Sequence, residues 1–503
     1  MSRRPGLNDL WDSSDIATTI IPTIAELSAL GTRLTAYYGQ SYCSPARAAF
    51  LSGKFTHKIG FSNTQGTMEV ASFSNFSVPI GHVLLPEAMK RLGYATHGIG
   101  KWNIGHCNEA YMPWNRGFDS FHGYFSDGIT YSSHQTDLYT YSYGDDTSRN
   151  IYDMTFFEVG DSAARNGSAA KGRYSTTLFN DIATSYLADT TVQEPIFLWL
   201  AHHGMHDDNQ VDELVLDDEV GAILAASGIS EKRTRFARGL HVIDAGLAAI
   251  LDALEQRPRD FVLVLISDNG GSGCGYHCAG SNTPHRGVKF SDFEGALKLP
   301  AFVYAPALIS EASEFAGLMH HVDWLATFVR LGGGQADVID DGYDSVDQWD
   351  HIAGLKTGSA RSKIIFSAGK NSGTVRLGPY KLMERRVNET WLEPDFNGTQ
   401  LTTPDACLGN GIVTMLFNVE TDPYEHFDLA DDLNYSQVLF ELTALRRSAY
   451  RDEYWEPTWP FGAPDDQAAG DAFHAYGGYV TSWGCDSLEM KQRVKPVPAE
   501  VNP

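Results

Sequence analysis

Short apolar runs, separated by helical stretches, constrain the fold of this chain most strongly. Three runs have the length of strands and no polar alternation: PIFLWLA (195–201), FVLVLIS (261–267) and PAFVYAP (300–306). Such strands are typically buried on both faces, as in parallel sheets covered by helices. Between the first two, residues 234–256 place apolar side chains on one helical stripe. This alternation predicts an α/β protein with a doubly wound sheet flanked by helices.

The pattern changes after about residue 358. A helix is predicted from Ser436 to Arg451, and shorter extended pieces precede it: KIIFSAG (363–369), TVRLGPYKLM (374–383) and TMLFNVE (414–420). We therefore expect two domains, a larger α/β domain over residues 1–358 and a smaller α+β domain over residues 359–503.

Charge and targeting signals limit the classes of function. The 503 residues carry a net charge of −25, which argues against a nucleic-acid partner because such binding needs a basic surface. No run approaches the ~20 apolar residues of a membrane span, and the N-terminal MSRRPGLNDLWDSS lacks the apolar core of a signal peptide. Five Asn-x-Ser/Thr sequons nevertheless favour a glycosylated protein of the secretory route: Asn75, Asn166, Asn388, Asn397 and Asn434.

The segment SYCSPARAAFLSGK places one cysteine beside a predicted helix. Ser44 is a suitable N-cap, Pro45 fits the first helical position, and Gly53 is a suitable C-terminal stop. Free N–H groups at such a helix start favour an anion, and Arg47 one turn later could bind a tetrahedral oxyanion. The segment therefore predicts an anion site with Cys43 as nucleophile. The alternative is a buried or disulfide-bonded cysteine.

Other polar clusters suit the same anion. ISDNGG ends a strand with Asp268 and Asn269, whose oxygens could hold a hard cation such as calcium, although Asp, Asn and Gly also dominate ordinary turns. Cations and histidines suited to charge neutralisation or acid–base work occur elsewhere: Lys101, His202, His203, His206, Arg286 and Lys289.

The remaining cysteines leave their pairing open. Cys107, Cys274, Cys278, Cys407 and Cys485 are an odd number, so at least one is unpaired within the chain. The CGYHC segment could form a small-loop disulfide or a metal knuckle with its histidine. Zinc is the weaker interpretation, because no second pair has suitable spacing.

Several motifs identify a family that the chain resembles. CSPAR followed by AAFLSGK resembles the first signature of type I sulfatases, and GYATHGIGKWNIGH (93–106) resembles the second. Further elements match in order and spacing, most closely the arylsulfatase B (N-acetylgalactosamine-4-sulfatase) group: RGFDSFHGY, AHHGMH, SDNGG, RGVKFSDFEG, HHVDWLATF, VRLGPYKLM and LFNVETDPYEHFDL. The similarity covers residues from about 7 to 460.

The resemblance implies a fold, an activity and a modified residue. The fold would be alkaline-phosphatase-like with a mixed sheet, and the activity would be hydrolysis of sulfate esters, such as those of sulfated sugars. A formylglycine-generating enzyme would convert Cys43 to formylglycine, whose hydrate attacks sulfur. Arg47 would hold this residue in place. The family also implies a lysosomal or secreted protein.

The resemblance also assigns roles around the substrate. Lys101 and Lys289 would neutralise the ester oxygens, and His206 would help to protonate the leaving alcohol. Asp268 and Asn269, together with the modified cysteine, would bind one calcium ion that polarises the sulfate.

The sequence departs from the family pattern at two places. An Asp-Asp pair at the end of a first strand completes the family's calcium site, but only Asp9 lies in the matching region. We therefore expect a truncated N-terminus, a weakened calcium site and a sheet that lacks its central strand. The family's histidine after Lys-Trp is Asn103, which would orient the formylglycine hydrate, with His106 as a nearby substitute.

These departures keep two alternatives open. One is a catalytically impaired, sulfatase-like binding protein. The other is a phosphodiesterase or phosphonate hydrolase of the same superfamily, which assays of sulfate against phosphate esters would distinguish.

Overall fold

The structure is a computed structural model, and it describes most of the chain. The described residues are 19–63, 66–67, 69–136, 151–206, 218–226, 231–272, 280–335, 338–339, 342–386, 412–455 and 466–485. Several features of the sequence lie outside them: Asp9, the CGYHC segment, Cys407, Asn388 and Asn397. Within the described part of the chain, no helix is long and apolar enough to cross a membrane.

Helices and strands alternate along the chain. The strands are β1 Thr32–Leu34, β2 Tyr37–Tyr38, β3 Ser62–Asn63, β4 Gly66–Thr67, β5 Ala95–Lys101, β6 Ser120–Tyr124, β7 Thr155–Phe157, β8 Arg165–Asn166, β9 Ile196–Ala201, β10 Leu263–Ile266, β11 Ala301–Tyr304, β12 Ser313–Phe315, β13 Met319–His320, β14 Lys363–Ala368, β15 Gly373–Leu377, β16 Tyr380–Arg386 and β17 Ile412–Asn418. The α-helices are α1 Pro22–Leu30, α2 Cys43–Ser52, α3 Leu85–Arg91, α4 Ser175–Ala188, α5 Asp218–Ala226, α6 Glu231–Glu255, α7 Glu294–Leu297, α8 Trp324–Leu331, α9 Trp349–Ile352, α10 Ser436–Ser448 and α11 Asp466–Ala475.

Two sheets build the N-terminal part of the molecule. The first has the strand order β8-β7-β6-β5-β9, in which β5, β6 and β9 run parallel and β7 and β8 are antiparallel. The second has the order β10-β11-β1-β12. The three apolar runs are therefore strands, as predicted, within an α/β arrangement with mixed strand directions.

The predicted parallel direction is wrong for two of these strands. β10 and β11 pair antiparallel, with Leu263 opposite Tyr304 and Ile266 opposite Ala301. The described residues between them, 267–272 and 280–300, contain loops and the one-turn helix α7 but no long helix. Parallel neighbours in a sheet are usually joined through a long crossover helix, whereas antiparallel neighbours do not require one.

The C-terminal part contains its own antiparallel sheet. The order is β14-β15-β16-β17, and helix α10 packs against it through residues such as Leu442. These strands and this helix were predicted from the sequence. The long amphipathic helix predicted at residues 234–256 is α6. The division into two domains at residue 358 remains a proposal.

Candidate active site

Cys43 lies at the very start of helix α2. The helix begins at Cys43, with Tyr42 as N-cap, so the predicted N-cap Ser44 and first-position Pro45 both lie inside the first turn. Ser44 does not cap the helix, because its buried hydroxyl accepts a hydrogen bond from Val70 N (2.8 Å) and lies within hydrogen-bond distance of two other side chains. Gly53 ends the helix in the left-handed conformation, as predicted (φ 64°).

The thiol of Cys43 is buried beside Asn269. Its Sγ atom lies 3.3 Å from Oδ1 of Asn269, and Cys43 is 3% exposed. Burial raises the pKa of the Cys43 thiol, although the charges of Lys101 and Lys289 act in the opposite direction. Because only a thiolate is an effective nucleophile, this thiol is a poor one.

Arg47 connects the ends of two strands. Its Nη1 donates to the carbonyl oxygen of Lys101 (3.0 Å) at the end of β5, and its Nη2 donates to Oδ2 of Asp268 (2.9 Å), just after β10. Burial alone would raise the pKa of Asp268, but the charges of Arg47, Lys101 and Lys289 outweigh it and hold that pKa at about 2. Asp268 is therefore ionised throughout the physiological range.

The Arg47–Asp268 pair gives a first prediction. We expect Asp268→Asn to lower the free energy of unfolding by about 1–3 kcal/mol at pH 7, because it leaves a buried guanidinium without its carboxylate. The Asp268 pKa is lowered on folding, so its contribution is present above pH ~4 and is lost as the pH falls towards 2. Urea titrations should therefore show a smaller deficit at pH 3 than at pH 7.

Asp181→Asn is the matched control for this prediction. Asp181 pairs with Arg173 on the surface, where both side chains are at least half exposed. Such pairs contribute little, so the change should stay within about 0.5 kcal/mol. Equal losses in the two variants, or a deficit at Asp268 that does not depend on pH, would contradict the assignment.

The predicted lysines and histidine approach the same region. Nζ of Lys101 donates to the backbone oxygen of Asp127, and Lys101 is 2% exposed. The backbone N–H of Lys289 donates to the carbonyl of Gly271 (3.0 Å), which fixes the chain beside the Asp268 loop. Burial, followed by the charges of Lys289 and Lys101, lowers the pKa of His206 well below its usual value. His206 is therefore a neutral imidazole at physiological pH.

One cavity joins most of these residues. It has a volume of about 990 Å³, and its lining includes seven of the eight residues that the resemblance places at the site: Cys43, Arg47, Lys101, His206, Asp268, Asn269 and Lys289. Their sequence positions span more than 200 residues, so the fold alone brings them together.

Asn103 is not part of this lining, contrary to its predicted contact with the reacting group. Its Nδ2 donates to Val70 O (2.7 Å), its Oδ1 lies 2.8 Å from Ser44 Oγ, and the residue is fully buried. Both ends of the amide are engaged, so Asn103 positions the start of α2. His106 does not replace it, because its Nε2 bonds to Ser72 O (2.9 Å) and its ring packs against Phe125.

Two other predicted residues, His203 and Arg286, make hydrogen bonds and ring contacts with neighbouring loops. His203 lies 3.1 Å from the hydroxyl of Ser175 and packs on the ring of Tyr131 (4.2 Å). Arg286 donates to the backbone oxygen of Glu425 (3.2 Å) and covers the ring of Phe293 (4.2 Å). Both residues therefore support the loops around the cavity.

Sequence reasoning missed two carboxylates, Glu69 and Asp127. Glu69 Oε1 lies 2.8 Å from the hydroxyl of Ser44, and Oε2 lies 3.3 Å from its backbone N. Burial, followed by the charge of Glu69, raises the pKa of Asp127 to about 6. Asp127 follows the end of β6, the kind of strand-end position that had drawn attention to Asp268. No comparable signal marks Glu69.

The comparisons agree with a sulfuric ester hydrolase of alkaline-phosphatase-like fold. The sulfatase family profile matches residues 11–334, and the chain belongs to this family. The chain is 28% identical over 455 residues to arylsulfatase J of Mus musculus, which covers 84% of this chain and 71% of that protein. It is 25% identical over 439 residues to N-acetylgalactosamine-6-sulfatase of Mus musculus, covering 81% and 77%.

A solved structure supports the same fold. The crystal structure of Ps i-CgsB in complex with k-i-k-neocarrahexaose superposes with a TM-score of 0.67 at 20% sequence identity, covering 91% of this chain and 92% of that one. The narrower resemblance to the arylsulfatase B group stays a prediction.

Proposed function

We propose that the chain hydrolyses sulfate esters of sugars at the cleft beside Cys43, after a formylglycine-generating enzyme has converted that residue to formylglycine. The observation that carries this proposal is the meeting of Cys43, Arg47, Lys101 and Lys289 in one cavity. Three cations around one candidate nucleophile suit a tetrahedral anion. A glycan substrate is supported by the carbohydrate bound to Ps i-CgsB and by the relative named for N-acetylgalactosamine.

The surroundings of Cys43 fit a modified residue better than a free thiol. The thiol is buried with a raised pKa, lines the cavity, and has no disulfide partner among the described cysteines. The hydrated aldehyde of formylglycine would supply an oxygen nucleophile for the sulfur atom. The chain's own contribution is to seat residue 43 at the first turn of α2, where backbone N–H groups favour negative charge.

The other residues would bind and orient the ester. Lys101 and Lys289 would neutralise the sulfate oxygens, and Arg47 would hold residue 43 against the ends of β5 and β10. A neutral His206 could donate its N–H to the leaving oxygen, but it carries no extra proton to give at neutral pH. Proton delivery to the alcohol should therefore improve as the pH falls.

Calcium is the ion that the family resemblance implies, and the described residues do not fit a complete site for it. Asp268 and Asn269 offer two oxygen-bearing side chains, whereas calcium takes six to eight oxygen ligands. Asp268 is also engaged by Arg47. The described part of the chain contains no group of three or more His, Cys, Asp or Glu residues that could hold a metal. The roles proposed above are therefore assigned to side chains of the protein and to no metal ion.

The second candidate is a catalytically impaired sulfatase-like protein that binds sulfated glycans, which the engagement of Asp268 by Arg47 supports. The same cations would then retain the sulfate group without turnover. Binding and hydrolysis must therefore be measured separately.

We also propose a lysosomal or secreted location. Cys107 and Cys485 form a disulfide across 378 residues of sequence, a bond typical of oxidising compartments. The sequons at Asn75, Asn166 and Asn434 lie at positions that are not buried, as glycosylation requires.

Lysine variants test the proposed activity. We expect Lys101→Met and Lys289→Met each to lower kcat/KM for 4-nitrophenyl sulfate by at least about 100-fold, because each removes a cation from the transition state. Lys90→Met is the control, since Lys90 is half exposed and pairs with Asp119 on the surface. Unchanged kcat/KM in both cleft variants would remove these lysines from the site.

Parallel assays distinguish the alternatives. Faster hydrolysis of bis(4-nitrophenyl) phosphate, a phosphate diester, than of 4-nitrophenyl sulfate would favour the phosphodiesterase class. Saturable binding of a sulfated oligosaccharide by the unsubstituted protein, without hydrolysis, would favour the impaired protein.

A further inference from the structure

Tyr124 lies directly beside Lys101 in the first sheet. Tyr124 is the last residue of β6, Lys101 is the last residue of β5, and the two parallel strands pair these residues with each other. The backbone N–H of Trp102 donates to the carbonyl oxygen of Tyr124 (2.9 Å). Side chains alternate between the two faces along each strand, so residues paired across neighbouring strands lie on the same face. The phenol of Tyr124 and the ammonium of Lys101 therefore leave the sheet on one face.

Neighbouring rings fix the position of this phenol. The ring of Tyr124 stacks near Phe179 of α4 (6.5 Å between ring centres) and meets the ring of His203 edge-on (5.6 Å). Tyr124 is 0% exposed, and it lines the cavity that contains Cys43. A phenol oxygen lies on the axis of its rigid ring. These ring contacts therefore hold the hydroxyl in place without using it.

The hydroxyl of Tyr124 has no hydrogen-bond partner among the described residues. The same holds for Nε of Arg47, a buried side chain that lines the same cavity. The other two nitrogens of that guanidinium donate to the carbonyl oxygen of Lys101 and to Asp268. Buried polar groups are nearly always paired, because an unpaired one costs free energy. Two buried donors of the cavity wall are thus free to bind a ligand.

Electrostatic effects connect the phenol to the proposed sulfate site. Burial raises the pKa of Tyr124 well above its usual value, and the charge of Arg47 opposes this only in part. The charges of Cys43, Asp153 and Asp268 act in the same direction as burial. Such effects act between neighbouring groups. The phenol therefore keeps its proton at physiological pH and is a hydrogen-bond donor close to Arg47 and Cys43.

We propose that the hydroxyl of Tyr124 donates a hydrogen bond to an oxygen of the sulfate group, which makes Tyr124 a further binding residue of the reaction. The inference rests on the proposed function, because it places the donor on the same sulfate ester. The oxygens of a sulfate group only accept hydrogen bonds, so a neutral donor complements the cations Arg47, Lys101 and Lys289. Tyr124 adds to this set from the neighbouring strand of Lys101.

Tyr124→Phe tests this inference in the full chain. The change removes a hydroxyl that bonds to no described residue, so the melting temperature should not fall. Sodium sulfate is titrated at constant ionic strength, and its Kd is obtained from the rise in melting temperature. We expect Tyr124→Phe to weaken sulfate binding and to lower kcat/KM for 4-nitrophenyl sulfate, each on the order of 10- to 100-fold, as for other hydrogen bonds to charged groups.

Tyr186→Phe is the matched control. The hydroxyl of Tyr186 lies 2.8 Å from Oε1 of Glu158 and 3.0 Å from Nε2 of His122, and Tyr186 does not line the cavity. Its removal breaks hydrogen bonds within the protein, so the melting temperature should fall. Sulfate affinity and kcat/KM should stay within about twofold of the unsubstituted values.

The outcomes separate this inference from the proposed function. Unchanged sulfate affinity and kcat/KM in Tyr124→Phe would overturn the inference and leave the proposed hydrolysis intact. A lower kcat at unchanged sulfate affinity would also overturn it, because the hydroxyl would then act on residue 43. So would a melting temperature that falls as far as that of Tyr186→Phe.

The sulfate titration also covers a chain without activity. If the unsubstituted chain binds sulfate without hydrolysing the ester, the proposed hydrolysis fails, and weaker sulfate binding by Tyr124→Phe still supports the inference. Absence of sulfate binding by the unsubstituted chain would overturn both.

Discussion

Replacing Cys43 by alanine is expected to abolish hydrolysis of 4-nitrophenyl sulfate, with a loss of at least about 1,000-fold in kcat. The expected cause is loss of the nucleophile, because alanine cannot be converted to an aldehyde. The fold should persist, since Cys43 forms no disulfide and its neighbour Ser44 keeps the contacts that anchor the start of α2. Circular dichroism and urea unfolding should therefore match those of the unsubstituted protein.

Peptide mass analysis makes this test independent of activity. In protein from a eukaryotic secretory host, the peptide that contains Cys43 should be lighter by about 18 Da, the difference between a thiol-bearing and an aldehyde-bearing side chain. Cys43→Ser is a matched control, because its side chain is nearly isosteric but is not the residue that the proposed modification uses. Retained hydrolysis in both variants would refute the nucleophile assignment. An unmodified thiol would favour the impaired binding protein.

The strands and long helices were predictable because their signals are local. The apolar runs around β9, β10 and β11 and the stripe along α6 needed no tertiary information. Strand direction was not predictable in the same way, because it depends on the path of the return connection. The antiparallel pairing of β10 with β11 is a property of how the two strands meet in the sheet, which no apolar pattern encodes.

The candidate site was also predictable only in part. Its residue types could be predicted from motifs, and the fold places Cys43, Asp268 and Lys289 on one cavity. The structural role of Asn103 could not be predicted from the sequence, because the partners that occupy both ends of its amide lie 33 and 59 residues away in the chain.

A buried charge cluster connects the C-terminal sheet to the loop of Lys289. Nζ of Lys381, on β16, lies 2.9 Å from Oε1 of Glu294 on α7 and 2.6 Å from Oε1 of Glu425, and all three side chains are fully buried. Burial would raise the pKa of Glu294, but the charge of Lys381 outweighs it and lowers that pKa. Burial, opposed by Lys381, raises the pKa of Glu425. The ammonium of Lys381 thus forms ion pairs with two buried carboxyl groups.

We therefore expect Lys381→Met to lower the free energy of unfolding by about 3–5 kcal/mol, because it leaves both carboxyl groups buried without a cation. Without Lys381, folding should raise both carboxyl pKa values, so the deficit should be larger at pH 8 than at pH 5. Urea unfolding at the two pH values measures both effects. Lys363→Met, at an exposed position on β14, should change stability by less than about 0.5 kcal/mol. A loss at Lys381 no greater than at Lys363 would show that the cluster contributes nothing to stability. Glu294 begins the helix that follows the loop of Lys289. We therefore also expect Lys381→Met to have a lower kcat/KM than the unsubstituted protein.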